Sequence, residues 1–287
     1  MKATLYLIGT PIGNLSDLSP RVREAIDKCD FLLVEDTRVT IKLLNHLDLK
    51  KKMISCHDFN ERGRLEVLER ARSENTNVGL ISDAGMPLIS DPGNFIVKAA
   101  LELDFNVVAI PGPSAFLLAL VASGLPADRF VFEGFLPDKA GDIRKRLEFV
   151  KSDPRTLIFY VSPHKLLKTL NVCLEVLGAR KACLCRELTK FHEEYIRADL
   201  SQIAAKAENS EIKGEFVLVV EGSTKREEEI DESYIEQLAE DCLRSGLSVK
   251  DTAHELSDKL NRQKSAMYKL AIQVSQRMAP EADDNRR

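Results

Sequence analysis

The sequence predicts an α/β protein of two domains with mostly parallel sheets, followed by a helical extension that resembles a helix-turn-helix. Three observations predict this. Short apolar runs alternate with amphipathic stretches of helical period through residue 220. The alternation restarts after Leu125-Pro126. From residue 233 onward the period is helical only. The expected domains are 1–123, 124–224 and 233–280.

In the first domain, Thr4–Ile8, Phe31–Val34, Val78–Ile81 and 107–110 read as buried strands, rich in Val, Ile, Leu and aromatics and bounded by turn residues. Helical patterns lie between them at Pro20–Lys28, 39–47, 62–72 and 95–103. Ser19-Pro20 is a helix-start pair, because proline's fixed φ suits the first helical position. In the second domain the strands are 130–132, Thr156–Val161, 182–185 and Phe216–Val220, with helices at 144–150, 165–177 and 200–207. Strand–helix alternation implies βαβ units and parallel pairing. The charged run 225–232, K-R-E-E-E-I-D-E, reads as a solvated linker.

The 287 residues, 44% hydrophobic and 30% charged, can fill more than one packed core. A formal net charge of -4 excludes a globally basic nucleic-acid binder, though not a local basic patch. The six cysteines form no C-x-x-C pair and no zinc framework, so no metal site is expected. Cys183-x-Cys185 with His192 nearby hints at metal, but two buried residues on one strand face explain it better. Reduced thiols and the absence of a signal-peptide pattern or a long apolar run point to a cytoplasmic protein without a membrane segment.

In a parallel sheet, ligands bind where loops leave the carboxyl ends of strands. Five such loops carry unusual residues. Gly9-Thr-Pro-Ile-Gly13-Asn14 lets the backbone approach a ligand but is no phosphate loop. Glu35-Asp36-Thr37-Arg38 gathers ionisable groups at a strand end, either as a helix cap or for function. His57-Asp58-Phe59-Asn60-Glu61 offers an imidazole that could handle a proton, or a cap with an exposed loop histidine. Residues 80–93 read L-I-S-D-A-G-M-P-L-I-S-D-P-G. Their small residues admit a ligand to the main chain, and two carboxylates without nearby Lys or Arg favour a neutral, cationic or hydroxyl-rich ligand. Asp91 is expected to cap the helix at Pro92, which leaves Asp83 and Gly85 as the better ligand contacts. Pro111-Gly-Pro-Ser114-Ala115 is a rigid turn into a helix.

S-D-A-G-x-P-L-I-S-D-P-G followed by P-G-P-S-A resembles the tetrapyrrole-methylase fold family of S-adenosylmethionine-dependent methyltransferases. G-T-P-I-G-N-L, E-D-T-R, H-D-F-N-E, E-G-F-L-P-x-K from Glu133, R-E-L-T-K from Arg186 and G-E-F-V-L-V-V-E-G from Gly214 narrow the resemblance. They are similar to the branch that methylates a cytidine ribose 2′-hydroxyl in 16S ribosomal RNA. The resemblance covers about residues 4–222 and extends to the helical tail. It implies a homodimer acting on 16S rRNA or an assembled small ribosomal subunit, with S-adenosyl-L-methionine as cofactor in a cleft between the two domains. Carried over by motif, Ser82, Asp83, Ala84, Gly85, Pro87, Leu88, Ile89, Ser114 and Ala115 line the donor on the first domain, and Phe159, Glu187, Leu188 and Val217 close it from the second. Asp36 or His57 would accept or relay the hydroxyl proton, with Arg38, Asn14, Asn60 and Lys139 holding the nucleotide. Met86 and Val161 depart from the usual pattern, which has threonine and an acid there.

Basic patches at 50–52, 139–146 and 259–277 are the expected RNA contacts. The last holds five basic residues and no acid, and serves either nucleic-acid contact or a solvated face of a helical cap. Two other functions fit parts of the pattern: a tetrapyrrole C-methyltransferase of the same fold, and a non-catalytic RNA-binding assembly factor.

Overall fold

The computed structural model describes residues 2–57, 60–209, 212–224, 232–260 and 263–278. The chain forms two compact units, Met1–Ser223 and Thr224–Arg287. The first carries two five-stranded sheets.

Sheet one contains β1 (Thr4–Ile8), β2 (Phe31–Val34), β3 (Lys52–Ser55), β4 (Val78–Ile81) and β5 (Asn106–Ile110) in the order β3-β2-β4-β1-β5. Every pairing is parallel, as expected. Helices α1 (Pro20–Lys28), α2 (Thr37–His46), α3 (Leu65–Ser73) and α4 (Asn94–Glu102) make the crossovers. Two apolar cores result. One packs Leu5, Leu33 and Leu80 with Leu68 and Ile96; the other packs Ile8, Leu32 and Ile81 with Ile26 and Leu44. Each strand thus sends alternate residues into opposite layers, as the pleat requires of a sheet buried on both faces.

α5 (Ala115–Ser123) follows β5 in sequence but packs on the other sheet. Its Ala119 and Leu120 lie in one core with Ile158, Cys183, Cys185 and Val219, and Phe116 stacks on Phe132 at 4.5 Å between ring centroids. A helix reading A-F-L-L-A-L-V-A-S is apolar all round and can pair with more than one partner. This helix, assigned by sequence to the first domain, ties the halves into one unit.

Sheet two corrects the expectation of parallel pairing. It contains β6 (Phe130–Phe135), β7 (Thr156–Val161), β8 (Lys181–Arg186), β9 (Glu194–Asp199) and β10 (Phe216–Val220) in the order β6-β7-β10-β8-β9. Only β6–β7 is parallel; β7–β10, β10–β8 and β8–β9 are antiparallel. The cause is β9, which the sequence reading missed. Its E-Y-I-R-A-D is half polar because it lies at the sheet edge, and its hairpin return from β8 reverses the chain direction. Helices α6 (Ala140–Val150), α7 (Leu166–Leu177) and α8 (Leu200–Glu208) cover one face. Cys183 and Cys185 are fully buried on one face of β8, with their sulfurs 3.6 Å apart.

The second unit comprises α9 (Glu232–Arg244), α10 (Val249–Leu260) and α11 (Lys264–Met278), packed on Ile235, Ala239, Leu256, Met267 and Ala271. Lys259, Lys264 and Lys269 are exposed, away from this core, while Arg277 pairs with Glu236 at 2.9 Å. The expected linker 225–232 lies outside the described residues, except that Glu232 opens α9. Among the described residues no helix is long and apolar enough to cross a membrane.

Candidate functional site

Three loops at the carboxyl end of sheet one are stitched together. The Thr10 N–H donates to the Gly85 carbonyl (2.8 Å) and the Gly85 N–H returns to the Thr10 carbonyl (3.1 Å). Gly9 and Gly112 touch backbone to backbone: a Cβ on either would lie 2.7 Å from the other's main chain. Only glycine permits that approach. Met86 completes the contact, its sulfur lying where a Gly9 Cβ would point.

The 80–93 loop is strained. Leu88 (φ 73) and Ser90 (φ 64) are left-handed, in addition to Gly85 and Gly93. Left-handed non-glycine residues cost on the order of 1–3 kcal/mol each and persist where packing dictates them. Glu187 (φ 50) and Thr189 (φ 67) repeat the pattern in the loop after β8.

Between these loops and sheet two lies a cleft of about 320 Å³. Ile12, Ala84, Gly85, Met86, Ile89, Ser90, Asp91, Ser114 and Ala115 form one wall, and Phe135, Tyr160, Val161, Ser162, Pro163, Glu215, Phe216 and Val217 the other. Burial raises the Tyr160 phenol above its ordinary value; the Asp91 charge adds to this, and hydrogen bonds with the Phe116 backbone and Ser114 oppose it. Asp91, Ser114 and Tyr160 therefore share one polar corner. Among the described residues the lining holds two carboxylates, Asp91 and Glu215, and no Lys or Arg.

Of the thirteen expected cofactor residues, Ala84, Gly85, Ile89, Ser114, Ala115 and Val217 line this cleft. Leu188 lines a narrow extension of it, with Ile12, Ala115, Glu215 and Val217. The others lie elsewhere. Ser82 and Asp83 face a separate, smaller cavity. Pro87 is buried, and Leu88 packs toward the first core. Phe159 is fully buried under α6 and α7, because along β7 alternate residues face opposite sides, and it is Tyr160 that reaches the cleft. Glu187 bonds locally: its Oε1 accepts from the Glu215 N–H and from Lys190 Nζ, both at 2.9 Å. Asp91 is not the expected helix cap. α4 starts at Asn94 with Gly93 at the N-cap, and Asp91 lines the cleft.

The expected catalytic residues line none of the described cavities. Asp36 caps α2 through the Arg38 N–H (2.7 Å), and the Arg38 side chain grips it two-handed. Those bonds hold its carboxyl down at about 2. So low a value makes Asp36 a poor proton acceptor. His57 and Asn60 bond to each other, with 2.9 Å between Nε2 and Nδ2, and close a turn. Asn14 caps a short 3-10 turn through the Ser16 N–H, and Lys139 is exposed at the start of α6. Asp58 and Phe59 lie outside the described residues. Two of the expected basic patches are partly engaged within the fold: Lys51 bonds the Asp27 and Cys29 carbonyls, and Arg144 and Arg146 pair with Glu175 and Glu133.

The cleft residues missed by sequence are Ile12, Ser90, Asp91, Phe135, Tyr160, Glu215, Phe216 and the turn after β7. One signal was available: Tyr160 is the polar-tipped residue in the run T-L-I-F-Y-V, and a hydroxyl in such a run faces an opening or a partner.

An α/β protein with this stitched loop set over a carboxylate-bearing apolar cleft has a place among known families. Residues 4–204 match the sequence model described as Tetrapyrrole (Corrin/Porphyrin) Methylases, and the chain belongs to that family. A curated relative, ribosomal RNA small subunit methyltransferase I of Escherichia coli O157:H7, is 41% identical over 94% of both chains. Solved structures share the fold: a diphthine synthase (TM-score 0.60, 16% identity, covering 77% of this chain and 91% of that one) and the uroporphyrin-III C-methyltransferase of Thermus thermophilus complexed with S-adenyl homocysteine (0.52, 18%, 76% and 97%).

Proposed function

We propose that the chain is an S-adenosyl-L-methionine-dependent methyltransferase that methylates a cytidine ribose 2′-hydroxyl in 16S rRNA of the small ribosomal subunit. One observation carries the donor assignment. The cleft is apolar, of ligand size, and among the described residues bears carboxylates and no Lys or Arg, which suits a ligand with a sulfonium and no phosphate. The 41% identical relative carries the rRNA assignment.

When bound, the donor supplies an already activated methyl group. Ile12, Met86, Ile89, Phe135 and Val217 would hold its apolar parts and exclude water, and Asp91 and Glu215 would balance its positive charge. Ser114 and Tyr160 offer hydroxyls for its polar ends. The stitched loops fix that wall before binding, so orientation costs little at the moment of reaction; such preorganisation supplies up to ~7–11 kcal/mol in favourable cases. Asp36 and Arg38 then act by holding the α2 N-terminus rather than by moving a proton. Exposed Lys50, Lys52, Lys139, Lys264 and Lys269 are basic groups that could meet RNA phosphates. We further infer a cytoplasmic homodimer. Leu117 and Val121, 43% and 71% exposed on one face of α5, support the pairing.

The test uses 16S rRNA and small subunits from cells lacking the gene, incubated with methyl-labelled donor. The expected result is label in RNA at one cytidine whose 3′ linkage resists alkali, since a 2′-O-methyl group removes the attacking hydroxyl. Label in a porphyrinoid and none in RNA would overturn the reading.

A further inference from the structure

A second cavity of about 210 Å³ lies beside the cleft. The two are separated by the same loops. Pro11 and Gly13 face the small cavity while Ile12, between them, faces the cleft; Asp83 faces the small cavity while the next residue, Ala84, faces the cleft. The Thr10–Gly85 bridge is the partition.

Leu15, Val39 and Ile81 give the small cavity apolar walls. Its polar groups are unusual. The Ser82 hydroxyl is buried, with the residue only 3% exposed, and has no hydrogen-bond partner among the described residues. A buried group left so carries a desolvation cost that a bound ligand would remove. The Asp83 carboxylate accepts the Asp36 N–H on Oδ1 (3.0 Å), and its Oδ2 has no hydrogen bond within the described residues. Whole-ligand sites start at ~300 Å³, so this space is of the order of a single ring.

We propose that this cavity receives the base of the acceptor nucleotide and selects one that carries an exocyclic amino group, a cytosine. The inference rests on the RNA-methyltransferase reading above. A base splayed out of its strand is held between apolar faces and read on its edge. An ionised carboxylate only accepts, so Asp83 Oδ2 takes an amino hydrogen of cytosine, while the Ser82 hydroxyl donates to the ring N3 or O2. Uracil would set its O4 carbonyl against the same carboxylate, acceptor against acceptor, and be rejected. With the base on one side of the partition and the donor on the other, the ribose lies over the bridge between them.

Two variants test this on the RNA whose methylated nucleotide the mapping has located. Val39→Phe fills the cavity from the exposed face of α2. Calorimetry with S-adenosylhomocysteine should give the unmodified affinity, while kcat/KM for RNA falls more than tenfold. Asp83→Asn presents an amide that can donate. On RNA carrying uridine in place of the acceptor cytidine, its preference for cytidine over uridine should fall at least tenfold from that of the unmodified protein. Unchanged methylation by Val39→Phe, or weakened donor binding, overturns the proposal, the latter because the cavity would then belong to the donor. An equal loss on both RNAs in Asp83→Asn overturns the base selection. Donor binding without any RNA methylation by the unmodified protein overturns the RNA reading itself, and the proposal with it.

Discussion

The two sheets have five strands each and opposite logic. In sheet one every strand runs the same way, so all five carboxyl-end loops gather on one side, and three of them interlock through Thr10–Gly85 and Gly9–Gly112. In sheet two three of four pairings are antiparallel, so its loops divide between both ends, and the wall it gives the cleft is built partly from strand faces, at Tyr160 and Val217. Chemistry on the first side is therefore written in loop motifs. On the second it is written in the parity of single strand positions.

The sharpest way to break this comparison is to swap the parity on β7. Phe159→Ala should lower stability by ~3–5 kcal/mol in urea unfolding, because it empties a fully buried site. At a temperature where the variant is folded, its affinity for S-adenosylhomocysteine should change less than that of Tyr160→Phe. The reverse order would put Phe159 in the cleft. On the other sheet, Gly112→Ala forces a Cβ to within 2.7 Å of Gly9 and should cost ~2–4 kcal/mol while weakening donor binding more than tenfold. A silent Gly112→Ala would mean the loops are not locked together.

Smaller effects sharpen the picture. Phe135→Ala, at a 60% exposed residue on the rim of the cleft, should weaken donor binding roughly three- to tenfold, with little change in melting temperature. Ser90→Gly should stabilise the 80–93 loop by up to about 1 kcal/mol, by relieving a left-handed residue. The smallest effect is electrostatic. The Asp36 carboxyl is held down at about 2 by Arg38, so its link to stability is complete above the ordinary carboxylate range and is lost as pH falls through about 2. Asn caps as well as Asp but carries no charge. The melting-temperature gap between the unmodified protein and Asp36→Asn should therefore be widest near neutral pH and close toward pH ~2. A gap that widens on acidification would contradict the pairing.

What could be read from sequence follows the same division. β1, β2, β4, β7 and β10 were found at their observed bounds because each is an apolar run between turn residues. β9 escaped because an edge strand lacks that signature. In the site, the 80–93 loop announces itself through Gly, Asp and Pro, yet its two carboxylates part company: Asp91 lines the cleft and Asp83 the smaller cavity. Proline at residue 92 argued for a cap at Asp91, but the left-handed turn at Ser90 delays the helix to Asn94 and turns Asp91 to the cleft. Asp36 and His57 are expected to handle the proton for their chemistry and for their place on carboxyl-end loops, with helix capping as the alternative. In the structure each bonds to a neighbour within three residues, Asp36 to Arg38 and His57 to Asn60, contacts that the sequence does not reveal.

Where the donor binds can be tested directly, because the cleft and the neighbouring cavity have separate walls. Ala84 is exposed and faces that cleft, whereas Val39 faces the neighbouring cavity. Calorimetric titration of S-adenosylhomocysteine into the unmodified protein, Ala84→Phe and Val39→Phe decides the matter. A donor in the cleft should bind tightly to the unmodified protein and to Val39→Phe, and more than tenfold less tightly to Ala84→Phe at an unchanged melting temperature. Equal affinity in all three proteins would contradict it.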